Sequence, residues 1–448
     1  MLSRSPRPAA PRPPVPMRVV ELDLDGPDGE VLAFGPAPYG RASGRHGAPP
    51  TAERAPAVDV VFALVRLRGL PVATVVCRVP PGRRAADAVA VAARARLAGR
   101  GAPAAPPHGD LPRTSVVVAT REGADGLPRT LDSLLAQDHP DYEIVVVDSA
   151  PVTTATRDLV ENKYGGLRTV RVRYVGEPVP GLAVAHNRGV TVADGAVLAF
   201  TDDDVVADPR WLTALTAPFA DDPRLGCTTG LTLPARLGTP AQILLESRGG
   251  FVKEFVPRTY DPLRPPAGRP LFPFAAGSFG TGANMAFRAG VLRGLGGFDP
   301  ATGAGTPARG GDDVYAFVSV LAAGYRLRCT PQALVWHHHH ATWRDLTGQA
   351  YGHGAGLTAT LTALMVRRPA LLPAMLRRLP AGLAHARAVT TPREAGTGGA
   401  TGAHGAGEYP WPRHLSRLER RGMVAGPLGY LRARLRLRGS ELPEVRVP

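Results

Sequence analysis

Lysine is nearly absent from this 448-residue chain: Lys163 and Lys253 are the only two, so arginine carries almost all of the formal charge of +15. A cationic surface built from one residue type reflects base composition as much as polyanion binding, and charge alone predicts no nucleic-acid partner. Cysteine is scarce as well. Cys77, Cys227 and Cys329 are widely spaced and odd in number, which speaks against a disulfide framework or a cysteine metal cluster and fits a reducing, cytoplasmic setting. No uninterrupted apolar run reaches the roughly 18 residues of a spanning helix, and the proline-rich start lacks the apolar segment of a signal peptide. The expectation is a soluble or membrane-peripheral protein. A Walker phosphate loop and a Gly-x-Gly-x-x-Gly turn are both missing, so the two commonest nucleotide fingerprints are excluded.

A hydrophobic content of 44% over this length supports a sizeable core divided among two or three units. Residues 1–17 are a Pro- and Ala-rich tail expected to be disordered. Residues 18–100 form a small α/β unit, with strands at "DVVFALVRLRG" and "LPVATVVCRV" and a helix at "AADAVAVAARARLAG". Residues 101–110 have linker composition. The stretch 341–448 is a basic helical extension in which Pro369, Pro373 and Pro380 predict short helices, with a Gly-rich linker near 394–407.

The informative part is 111–340. "TSVVVATRE" is a β-branched strand, "LPRTLDSLLAQ" spaces its leucines as a helix does, and "YEIVVVDSAP" is a second strand ending in Asp148. A further strand, the helix "GLAVAHNRGVTVA" and the strand "GAVLAFTDDD" repeat the pattern. Such alternation predicts a mostly parallel sheet covered by helices, with ligands beyond the carboxyl ends of the strands. Thr120, Arg121, Glu122, Asp148 and the triplet Asp202, Asp203 and Asp204 fall on that rim. Taken alone, three consecutive aspartates make a solvated turn; at a strand end they also offer hard oxygen ligands for Mg²⁺ or Mn²⁺.

With "GTGANMAFR", "GGFD", "GGDD" and "VWH" following in order, the chain resembles the family-2 glycosyltransferases of the GT-A fold, a Rossmann-like α/β architecture, from about Leu111 to His340. The resemblance implies a divalent-metal-dependent, inverting transfer from a nucleotide-diphosphate sugar. It places Asp148 against the nucleoside, with Thr120, Arg121 and Glu122 beside it. Asp204 and Asp202 become metal ligands, with Asp202 and Asp203 also placed against ribose, diphosphate or metal-bound water. Asp312 and Asp313 match the family's Glu-Asp motif, with Asp313 as catalytic base; Tyr315 stands where relatives often carry a further acid. His337, first of the run His337 to His340, completes the metal site or contacts diphosphate, a solvated loop being the alternative. Arg188 faces phosphate or solvent, Asn187 contacts nucleotide or caps a turn, and Gly282 and Asn284 belong to an acceptor-side loop, with a tight turn the plainer reading of Gly282.

The expected partners are a nucleotide-sugar donor and a carbohydrate, lipid-linked or small-molecule acceptor. Paired arginines in the apolar C-terminal region add peripheral contact with anionic lipid at the inner face of a membrane, with packing on the catalytic domain as the alternative. A sugar-phosphate nucleotidyltransferase should carry a Gly- and Lys-rich phosphate signature, which "ATREGADGLPR" lacks; a non-catalytic binding module would not need both acidic clusters.

Overall fold

A computed structural model of the chain describes residues 14–38, 59–99, 110–248, 254–274, 277–395 and 409–445. Most of the expected N-terminal tail, the linker at 101–109 and most of the Gly-rich stretch near 394–407 lie outside these described residues.

The N-terminal sheet contains β1 (Met17–Leu24), β2 (Val31–Pro36), β3 (Asp59–Leu67) and β4 (Leu70–Val79) in the order β2-β1-β3-β4, covered on one face by α1 (Ala85–Leu97). Its other face is also apolar. Met17, Val60, Phe62 and Leu64 pack with Leu231, Leu233, Leu334 and Trp336 of the large sheet. Arg66 bridges the two units through a 2.6 Å pair with Asp208. This unit therefore backs the strands that end at the functional rim, a role the sequence left open.

The central sheet follows from runs buried on both faces. All seven residues of β5 (Thr114–Thr120) are buried, as are all but the first of β6 (Tyr142–Ser149). Strand β7 (Arg171–Glu177) extends the parallel set on one side and β8 (Val197–Asp202) on the other. Helices α2 (Leu127–Leu135) and α3 (Ala155–Leu159) follow β5 and β6, and α4 (Leu182–Val192) leads into β8. After the triplet come β9 (Val205–Ala207), α5 (Trp211–Thr216), α6 (Pro218–Asp221), β10 (Leu225–Pro234), α7 (Pro240–Ser247), β11 (Arg258–Tyr260), β12 (Met285–Arg288), α8 (Ala289–Gly294), α9 (Asp312–Ala322) and β13 (Arg326–His337). The sheet order is β11-β13-β10-β12-β8-β5-β6-β7, with β9 on β13. Antiparallel β12 joins two parallel blocks, which makes the sheet mixed.

The C-terminal region departs from expectation. It forms long helices, α10 (Trp343–Arg367), α11 (Leu372–Ala395) and α12 (Arg413–Arg436). Of the three prolines only Pro369 interrupts, in a single 3₁₀ turn between α10 and α11. Pro373 sits in the first turn of α11, where a missing N–H costs no helical hydrogen bond, and Pro380 is accommodated farther along. Helix α10 packs along α12 through glycines: a Cβ at Gly422 would meet the Tyr351 carbonyl at 2.1 Å.

Candidate active site

Register places the acidic residues on one rim. Thr120 pairs with Asp148 across β5 and β6, and Ala119 with Asp202 across β5 and β8. Strand β8 ends at Asp202 and residues 203–204 turn the chain into β9, and within this turn the triplet divides. Asp203 turns inward to accept the Thr120 hydroxyl, while the Thr130 hydroxyl holds its carbonyl at 2.8 Å. Burial, then the Asp204 and Asp202 charges, pushes the Asp203 carboxyl up to about 6. Asp202 and Asp204 turn the other way.

Opposite them stands His337. Pairing of β13 with β9 sets His337 against Val205, and its Nε2 lies 3.4 Å from Asp204 and 3.7 Å from Asp202. One potential ligand atom from each of Asp202, Asp204 and His337 lies within 4.8 Å of the others. Burial alone would lower His337, but the Asp204 and Asp202 carboxylates outweigh it and raise the imidazole to about 9. Asp204 is raised, by burial first, against the pull of His337. Two carboxylates gathered beside an imidazole are a donor set that suits a divalent cation.

The second cluster begins α9. Gly311, at φ 88°, turns the chain into the helix, and Thr360 of α10 donates to its carbonyl at 2.9 Å. Asp313 is half-buried, and each of its oxygens accepts a backbone N–H: Oδ2 from Gly282 at 3.0 Å and Oδ1 from Val314 at 2.7 Å. Burial, followed by the neighbouring Asp312 charge, pushes it up to about 7; Asp202 adds to the same shift, so the two clusters are within electrostatic reach. Asp312 is buried with its carboxylate 3.3 Å from Nδ1 of His186, whose ring lies among Phe200 and Phe298. His186 was not singled out from the sequence; a histidine beside "NRG" gives no local sign that its partner lies on another helix.

Around Asp148, the Glu122 N–H donates at 3.3 Å and the Tyr174 hydroxyl at 3.5 Å, and burial raises its carboxyl. Glu122, held at φ 53°, accepts the N–H groups of Val152 and Thr153 at 2.6 and 3.0 Å. Arg121 is exposed, and Arg188 is half-buried with Glu177 as its acidic neighbour. Two expected ligand contacts serve the fold instead. Asn187 clamps the backbone of Phe298, donating to its carbonyl at 2.9 Å and accepting its N–H at 2.8 Å. Asn284 donates to Leu231 and Ala333 carbonyls and accepts the Trp211 indole N–H at 2.9 Å. Tyr315 points away from Asp313 into a core shared with α10 and α12.

The α/β sheet thus gathers an Asp-x-Asp pair, a histidine and a separate carboxylate of raised pKa at one rim. Residues 115–292 match the model of glycosyl transferase family 2. Among its relatives, the pre-mycofactocin glycosyltransferase of Mycobacterium tuberculosis is 26% identical over 268 residues, covering 60% of this chain and 50% of the relative. The glucosyl-dolichyl phosphate glucuronosyltransferase of Haloferax volcanii is 25% identical, covering 43% of this chain and 57% of the relative. The chain thus spans about half the length of these curated relatives. A mannosyltransferase of Pyrobaculum calidifontis, solved with GDP-Man and Mn2+, aligns over 75% of this chain and 92% of its own at 22% identity, with a TM-score of 0.47. A likeness at that level carries neither donor nor metal to this protein.

Proposed function

We propose that the protein is a metal-dependent glycosyltransferase that moves a sugar from a nucleotide-diphosphate sugar to an acceptor hydroxyl with inversion. The observation carrying this reading is the separation of duties between Asp202, Asp204 and His337 on one side and Asp313 on the other. Two carboxylates and an imidazole would hold Mn²⁺ or Mg²⁺, and the imidazole favours Mn²⁺ over oxygen-preferring Mg²⁺. When bound, the ion supplies Lewis-acid stabilisation of the departing diphosphate. Asp313 takes the acceptor hydroxyl's proton on a carboxylate oxygen whose other lone pair is tied to the backbone. Asp148, with Thr120, Arg121 and Glu122 near it, receives the nucleoside, and Asp203 keeps the loop in the conformation that presents its neighbours. Asp312 positions Asp313. We assign units at 18–100, 111–340 and 341–448 to backing sheet, transferase and helical extension.

A thermal-shift screen of nucleotide sugars with and without Mn²⁺ tests the donor reading. One nucleotide class should raise the melting temperature only with the metal present; a donor at a hundred times its Kd would add about 2.7 kcal/mol. If no nucleotide sugar shifts the melt under either condition, the reading is lost.

The C-terminal helices support lipid contact. No helix among the described residues is long and apolar enough to cross a membrane. Helix α12 nevertheless exposes Val424, Leu428, Leu431 and Leu435, whose spacing makes one stripe, beside Arg432, Arg434, Arg436 and Arg438. Such a face fits an anionic membrane surface and a lipid-linked acceptor. Protein should co-sediment with phosphatidylserine vesicles at low salt and be released at high salt; failure to sediment at low salt removes the membrane from the proposal.

A further inference from the structure

Two further buried side chains line up behind His337. Its Nδ1 lies 3.4 Å from Nδ1 of His339, and Nε2 of His339 lies 3.5 Å from a carboxylate oxygen of Glu246. His339 and Glu246 are only 1% and 4% exposed. Helix α7 holds this arrangement at two points one turn apart. Gln242 donates to the His339 carbonyl at 2.8 Å, and Glu246 faces the ring. The helix is itself fixed by a capping box between Thr239 and Gln242.

Donor and acceptor logic runs one way along this chain. A carboxylate only accepts, so the His339 hydrogen belongs on Nε2, toward Glu246. In neutral imidazole that makes Nδ1 of His339 an acceptor, and the hydrogen His337 can offer it across their 3.4 Å contact is the one on Nδ1. Once an ion displaces its second proton, His337 would present the Nε2 lone pair, on the atom that faces Asp204 and Asp202 at 3.4 and 3.7 Å. We infer that Glu246 and His339 are positioning residues for a divalent-cation site, a carboxylate–imidazole–imidazole chain that sets the tautomer and orientation of His337. At 3.4 and 3.5 Å the two contacts are longer than formed hydrogen bonds and would tighten to that length around an ion. Outer partners of this kind raise ligand basicity, and losing one costs 10–100-fold in metal affinity.

The inference rests on the reading of Asp202, Asp204 and His337 as metal ligands. The opposing explanation is a buried Glu–His pair that merely packs α7. Titrating full-length protein with Mn²⁺ alone, and following the free-ion paramagnetic resonance signal, separates them. Glu246→Gln keeps shape and a hydrogen bond but removes the charge, and should weaken Mn²⁺ binding about tenfold; His339→Phe should weaken it at least as much. In a His337→Ala background neither change should weaken binding further. Unaltered affinity in folded Glu246→Gln, or an equal loss with and without His337, would overturn the relay while leaving the metal site standing. If wild-type protein binds no Mn²⁺, or Asp204→Ala binds it equally well, the metal reading falls and the relay with it.

Discussion

Replacing Asp313 with asparagine is expected to reduce turnover by about 10³-fold while leaving donor affinity unchanged, the size typical of a lost general base. The environment explains the magnitude. Burial and the adjacent Asp312 raise the Asp313 carboxyl from the ordinary aspartate range to about 7. That makes it roughly a thousandfold stronger base than a free aspartate, at the cost of only about half its ionised population near neutrality. Basicity therefore wins over population. Because the ionised form takes the proton, wild-type kcat/KM should be level on the alkaline side and fall about tenfold per pH unit below about 7. The asparagine variant should lose that acid limb. Steady-state rates across pH, paired with donor binding by calorimetry, check both statements; a variant that keeps the limb or most of its turnover would remove Asp313 from the role.

Asp204→Ala should act on the other half of the site. One of three potential ligands disappears, so Mn²⁺ affinity should fall by more than the 10–100-fold that outer partners cost. Donor binding measured in Mn²⁺ should weaken in step, whereas donor binding measured in chelator should match wild type. Asp203→Asn is the matched control. Its carboxylate is turned to Thr120, on the other side of the strand end from His337. It should leave Mn²⁺ affinity within a few-fold of wild type. Equal losses in the two variants would mean that the triplet acts as a diffuse negative patch rather than through individual ligands.

Much of this protein was legible from local pattern. A parallel strand buried on both faces must be apolar throughout, so "TSVVVAT", "EIVVVDS" and "AVLAFTD" announced β5, β6 and β8, and the first polar residues after each marked the rim. Asp148, Asp202 and Asp204 could be picked out because they stand where such a strand stops, whereas Asp313 was reached through the family resemblance of "GGDD". Helix ends in the C-terminal region were less legible, since a proline in a first turn costs little and only its placement in the helix tells that it is tolerated. The side chains that act through distant partners were beyond sequence. Asn187 and Asn284 hold backbone more than 40 residues away. Glu246 and His339 meet only because α7 folds against the end of β13.

The opening chemistry of the acidic triplet belongs to the sequence: three consecutive carboxylates at a strand end. Which of them faces His337 was decided by tertiary structure. Pairing between β13 and β9 brings His337 beside Asp204 across 132 intervening positions of sequence number. The turn from β8 into β9 then sets Asp202 and Asp204 beside it and Asp203 against Thr120, a geometry that exists only once the strands are in register.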